Sequence, residues 1–149
     1  MSPAWVGAHS TGFPRLSPVL TLRSTVTPPP RILLVEDDPG LRDTLAEVLA
    51  ERGYDVTCVC DGLAALAELG GHPPPSVILL DLAMPVMDGW AFRREQRRDP
   101  RIAKIPTIVL SASLGLDSGA VDALGVAAML SKPFDLDRLL AAVERARAA

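Results

Sequence analysis

Residues 77–89 read Val-Ile-Leu-Leu-Asp-Leu-Ala-Met-Pro-Val-Met-Asp-Gly. The four apolar residues that stop at Asp81 have the pattern of a buried parallel strand with a polar carboxyl end. Asp88-Gly89 then starts a helix that runs to Asp99-Pro100. The same grammar governs the chain on either side. Ile32-Leu33-Leu34-Val35 stops at Glu36-Asp37-Asp38, and Pro39 can open a helix at its first turn. Leu41, Leu45, Val48 and Leu49 fall on one face of that helix, and Gly53 closes it. Tyr54, Val56, Cys58 and Cys60 share a strand face, and the helical run Leu63, Leu66, Ala67, Leu69 follows.

Beyond residue 100, a fourth strand is predicted from Ile105 to Leu110, ending at Ser111-Ala112. Residues 113–124 read as a weak, glycine-broken helix, and Ala127 to Ser131 as the fifth strand. Leu136, Leu139, Leu140 and Val143 stripe the last helix. Strands alternating with helices predict a doubly wound, five-stranded parallel α/β sheet, because right-handed crossovers place helices on both faces. In such sheets ligands bind beyond the carboxyl ends of the strands. Glu36, Asp37, Asp81, Ser111 and Lys132 all fall at such ends. Clustered carboxylates repel one another, and a hard divalent cation such as magnesium relieves this while keeping sites open for a phosphoryl oxygen. No glycine-rich phosphate loop follows the first strand, which disfavours nucleotide binding of the Rossmann or P-loop type. A phosphoryl group would have to sit on a carboxylate of the protein itself.

The remaining composition narrows the class. The chain has 149 residues, 48% apolar, with a net charge of −3. That length suits one domain, and the apolar content suffices for a core. Cys58 and Cys60 match neither a redox pair nor a zinc knuckle, and read as ordinary packing in a reducing cytoplasm. No apolar run reaches the roughly 20 residues of a membrane helix, so no membrane partner is expected. The acidic balance gives no reason to expect nucleic acid. Residues 1–30 hold six of the 14 prolines and no acid. They read as a disordered Pro/Ser/Thr-rich leader or an over-extended gene start, with a short docking peptide using Trp5, Phe13 or the run Pro28-Pro29-Pro30 as the alternative.

Ile32 to Asp38, Val77 to Gly89, Ser111-Ala112 and Lys132-Pro133-Phe134 together resemble the receiver domain of two-component response regulators. The resemblance covers residues 31–147, and the Asp-x-x-Met-Pro-x-Met-Asp-Gly segment is its most specific part. It implies a flavodoxin-like sheet in the order 2-1-3-4-5, with residues 31–149 as the receiver. Asp81 would be the phosphoacceptor, Asp37 the direct magnesium ligand, Glu36 its partner through water, and the Ala83 carbonyl a further ligand. Ser111 matches the hydroxyl that moves onto the phosphoryl group, and Lys132 the lysine that pairs with it, before a cis Pro133. Asp38 falls outside the acidic pair and reads as a helix acid; Ser111 could also cap the next helix.

The function implied is phosphorelay signalling, with a sensor histidine kinase or phosphotransfer protein as donor and an unknown downstream protein as output. No residues after Ala149 are left for an output domain, so a stand-alone cytoplasmic receiver is expected. The rivals are a non-phosphorylated pseudo-receiver acting as an interaction module, and a small phosphohydrolase. The second is weakened by Ala83, which stands where such enzymes place a second acid. Some positions depart from the family pattern. Met129 replaces the usual aromatic switch residue, and residues 113–124 carry only Asp117 and Asp122 and no basic side chain for charge-paired dimers. Arg93 and Gln96 stand where apolar residues are usual, so either the helix is rotated or a neighbour covers it. The arginines of that helix read as a solvated face. Ala83 and Ser113 would orient an attacking water poorly, so a long-lived phosphoryl group is expected.

Overall fold

The computed structural model describes residues 27–112 and 118–148. Five strands form one parallel sheet: β1 (Arg31–Val35), β2 (Asp55–Val59), β3 (Val77–Asp81), β4 (Thr107–Ser111) and β5 (Ala128–Ser131). Their spatial order is β2-β1-β3-β4-β5, as the resemblance implies. The helices are α1 (Pro39–Glu51), α2 (Gly62–Gly71), α3 (Gly89–Arg98), α4 (Ser118–Leu124) and α5 (Leu136–Ala148). No helix among the described residues is long and apolar enough to cross a membrane.

Strand periodicity divides the core into two layers. Ile32, Leu34, Val77, Leu79, Ile108 and Leu110 face Leu45 and Leu49 of α1 and Leu139 and Val143 of α5. The alternate residues Leu33, Val35, Ile78 and Leu80 face Ala65 and Leu69 of α2 and Phe92 of α3. Both faces of the central strands are covered, which is why β1, β3 and β4 read as unbroken apolar runs rather than alternating ones.

Four aspartates organise the junctions between strands and helices. Asp38, Asp61 and Asp88 cap α1, α2 and α3, each accepting from a backbone N–H two or three residues on. Asp135 accepts from the Asp137 amide ahead of α5. Capping removes unsatisfied donors at a helix start, at a value of about 1 kcal/mol each. It also accounts for Asp38, which lies at the N-cap rather than within the first turn.

Some boundaries differ from expectation. β4 starts at Thr107, not Ile105, because Gln96 Nε2 donates to the carbonyls of Ile102 and Ile105 and holds that stretch in a turn. Sheet hydrogen bonding begins one residue before Arg31, where the Pro30 carbonyl accepts from the Asp55 amide at 2.9 Å. Cys58, on the edge strand β2, and Cys60, just beyond it, are free and exposed. Arg93 and Gln96 are buried without any rotation of α3. Arg93 donates to the carbonyls of Leu124 and Gly125, at 2.8 Å each, and to Gln96 Oε1 at 2.7 Å. Neighbours therefore cover them: the end of α4 over Arg93, and the turn before β4 over Gln96. The solvated-face reading of the arginines fails for Arg93 and holds for the exposed Arg94, Arg98 and Arg101.

The segment between β3 and α3 is clamped from two sides. Its tip is a tight turn in which the Met87 amide donates to the Pro85 carbonyl at 2.7 Å, with Val86 at φ 68°. That conformation is costly for a β-branched residue. The turn is held by backbone bonds from Gly62 N–H to the Met87 carbonyl and from Gly89 N–H to the Leu82 carbonyl, both 2.9 Å. Both glycines allow close approach: a Cβ on Gly89 would meet the Asp81 carbonyl oxygen at 2.5 Å and Leu82 Cα at 2.7 Å. Gly89→Ala should therefore displace the end of β3 and cost about 1–3 kcal/mol, measured by urea denaturation. Wild-type stability in that variant would show that the contact is not constraining.

Candidate functional site

Register assembles the site. Val35 pairs with Leu80, so the residues that follow, Glu36 and Asp81, lie abreast on neighbouring strands. Asp81 pairs with Leu110, which puts Ser111 one step beyond it. Ser111 pairs with Ser131, which puts Lys132 one step beyond again, and the Lys132 amide donates to the Ser111 carbonyl at 2.7 Å. The sequence-predicted residues Glu36, Asp37, Asp81, Ser111 and Lys132 thus meet on one rim. The Lys132–Pro133 peptide is cis.

Oxygens of Glu36, Asp37 and Asp81 all lie within 4.8 Å of one another. Glu36 is fully buried, Asp81 and Ser111 are each 3% exposed, and Asp37 is half-buried. Lys132 Nζ sits 2.9 Å from Glu36 Oε1 and 3.5 Å from Asp81 Oδ1. Burial opposes its charge, but the bond to Glu36 and the fields of Asp81 and Glu36 outweigh that and raise its pKa. Asp81 is pushed up to about 7, by burial first and then by the Glu36 charge, with Lys132 acting in the opposite direction. The Ala83 amide donates to Asp81 Oδ1 at 3.3 Å, and Ala83 shares with Asp37 a cleft of about 500 Å3 that also includes Met84, Asp88 and Trp90.

These residues fit a hard dication. Three carboxylates against one paired ammonium leave the rim short of positive charge, all the donors are oxygens, and the half-buried Asp37 is on the side where ligand waters could be kept. Magnesium at this rim would draw its ligands from the cluster of Glu36, Asp37 and Asp81.

The sequence reading missed two features. Glu36 is tied directly to Lys132, and its backbone carbonyl accepts from Arg42 Nη1 at 3.0 Å. The first could not be found by local pattern, since Glu36 and Lys132 are 96 residues apart in sequence. Met129 is half-buried and packs, as Trp90 and Val126 do, against the cluster of Leu82, Val109 and Leu124, so an apolar cluster occupies the place expected for an aromatic switch. Residues 1–26, Ser113 and Asp117 lie outside the described residues.

The charge arrangement sets a pH dependence. Because the folded pKa of Asp81 is raised, the native state holds its proton more tightly than the unfolded chain between about pH 4 and 7. Stability contributed by this residue is therefore complete below that window and lost as pH rises through it. In metal-free buffer, Asp81→Asn should gain about 1–3 kcal/mol over wild type across that window, read from denaturation curves at pH 4.5 and 8. An equal difference at both pH values would contradict the strain on this carboxylate.

Three comparisons bear on this geometry. The family model described as the response regulator receiver domain matches residues 32–144. The DNA-binding dual master transcriptional regulator RpaA of Synechocystis is 40% identical over 121 residues, covering 76% of this chain and 47% of that protein. The chain thus spans about half the length of this relative. A receiver domain of a sensor histidine kinase from Pseudomonas aeruginosa, solved with magnesium coordinated in its active-site cleft, is 32% identical with a TM-score of 0.74, covering 81% of this chain and 99% of that one. The chemotaxis response regulator CheY4 of Vibrio cholerae is 28% identical with a TM-score of 0.73, covering 79% and 98%. One expectation is overturned. The acidic balance argues against nucleic acid as a partner, but RpaA is DNA-binding. The acidic balance describes the aligned receiver stretch and carries no information about the other half of such a protein.

Proposed function

The chain belongs to the receiver domain family of two-component response regulators, a signalling family, and from that membership we propose that Asp81 is its phosphoacceptor. The observation that carries this reading is the buried Asp81 carboxylate abreast of Glu36 and within 3.5 Å of Lys132. An oxygen of Asp81 attacks the phosphorus of a phosphohistidine on a sensor kinase, or of a small acyl phosphate. The new P–O bond forms as the bond to the donor nitrogen or oxygen breaks, and the leaving group keeps the electron pair. Charge develops on the equatorial oxygens, and fixed cations and hydroxyls stabilise it. Lys132 supplies the ammonium, shifting from its shared position between Glu36 and Asp81 toward the phosphoryl group. Ser111, at the end of β4, supplies the hydroxyl. Magnesium, when bound, neutralises phosphoryl charge at this rim.

Residues 31–149 form the receiver unit in this reading, the leader before it is dispensable, and the domain works in the cytoplasm. The domain supplies its own chemistry with small-molecule donors, so acetyl phosphate with magnesium suffices to label it.

Intact mass spectrometry tests the proposal. Wild type incubated with acetyl phosphate and magnesium gains the mass of one phosphoryl group, and Asp81→Asn does not. Labelling of Asp81→Asn to the wild-type extent would overturn the assignment. Asp37→Ala should retain the fold by circular dichroism and lose magnesium affinity by at least about tenfold, since one or two carboxylates hold this ion. Unchanged affinity would remove Asp37 from the metal site.

The lifetime of the acyl phosphate depends on orienting the attacking water. The Ala83 side chain is exposed beside Asp81 and has no hydrogen-bonding group. Ala83→Asn should shorten the half-life of the label after acetyl phosphate is removed. An unchanged or longer half-life would mean that another group positions the water.

A further inference from the structure

Residues 93–104 carry six basic side chains and two acidic ones. Most of that charge is engaged. Arg93 and Arg97 donate to the carbonyls at the end of α4, Arg98 pairs with Glu95 at 3.1 Å, and Arg101 pairs with Asp99 at 2.8 Å. Lys104 is exposed and pairs with no carboxylate among the described residues, and the same holds for Arg145 on α5. These two side chains line one cleft of about 620 Å3, and Arg93 forms part of its wall. The cleft lies at the amino-terminal end of β4 and β5, between the α3–β4 turn and α5.

This cleft has the size of a small-molecule site, and its lining holds three cations and no carboxylate. The guanidinium of Arg93, 6% exposed, bonds only to neutral oxygens: two carbonyls, Gln96 Oε1, and Thr107 Oγ1 at 3.4 Å. Burial and the nearby Arg97 hold its pKa below the usual arginine range, which marks a positive charge that its neighbours do not neutralise. Carbonyls at the end of a helix offer partial negative charge, less than a full counter-ion. One of its five N–H groups is left over by these bonds. Alanines 103, 127, 128, 142 and 146 make up much of the remaining wall and keep the space open. Charges of one sign in a concave, partly apolar site focus the field on an anion.

We propose that this cleft binds a phosphate-bearing small molecule, with Lys104 and Arg145 contacting its phosphate oxygens and Arg93 supplying the buried charge behind them. The site is separate from the rim around Asp81. Thr107 and Ser111 are opposite ends of β4, roughly 13 Å apart at about 3.3 Å per residue. Binding here does not depend on Asp81 being phosphorylated.

The test titrates the full chain, in EDTA and at constant ionic strength, with inorganic pyrophosphate, followed by amide NMR and calorimetry. Saturable shifts are expected at Lys104, Ile105 and Gly125 to Ala128. The Lys104→Ala/Arg145→Ala double variant, which changes only exposed side chains and whose fold is checked by circular dichroism, should bind at least about tenfold more weakly. Equal affinity in the double variant would overturn the proposal. So would shifts confined to Glu36, Asp37 and Lys132, shifts scattered over every basic side chain, or the same shifts produced by chloride.

Discussion

Three carboxylates crowd one rim of the sheet with a single paired ammonium, and the arrangement around them exists to hold that imbalance in place. Glu36 is fully buried and would be untenable alone. Lys132 Nζ at 2.9 Å, the Asp38 amide and the network around its backbone make it tolerable. The same ammonium reaches Asp81, whose pKa is still raised. The rim is therefore left wanting further positive charge. That is the physical basis for a site that recruits a dication and then a phosphoryl group.

Backbone packing keeps the charges abreast. Parallel register sets Glu36 beside Asp81 and steps Ser111 and Lys132 outward from them. Gly62 and Gly89 let the β3–α3 turn close against the end of β3, at the expense of a positive φ at Val86. On the far side of the sheet, Arg93 and Gln96 join α3 to the end of α4 and to the turn before β4. The strand that carries Ser111 is thus anchored at its start by a polar network and lined at its finish by the charged rim.

Much of this was legible in the sequence because it is local. Short apolar runs ending in polar residues marked the strands of the rim, Pro39 and Gly53 marked the ends of the first helix, and Asp88-Gly89 marked the start of the third. The rim residues followed from strand ends alone. What escaped is non-local. The Glu36–Lys132 pair spans the chain, and the burial of Arg93 and Gln96 needs carbonyls at the end of α4 and in the turn before β4, which no periodicity reveals. The start of β4 was misplaced for the same reason, since a side chain on α3 holds Ile105 in a turn. Nucleic acid was excluded from the composition of this stretch, which is silent about the other half of a relative such as RpaA.

The central claim is that the strained carboxylate at the end of β3 carries the phosphoryl group. The most direct measurement is reduction of the phosphorylated wild-type chain with borohydride, which converts an acyl phosphate to the alcohol, followed by peptide sequencing. The account predicts homoserine at position 81 and nowhere else. Reduction at position 36 or 37, or at no carboxylate of a protein that had gained the phosphoryl mass, would contradict it.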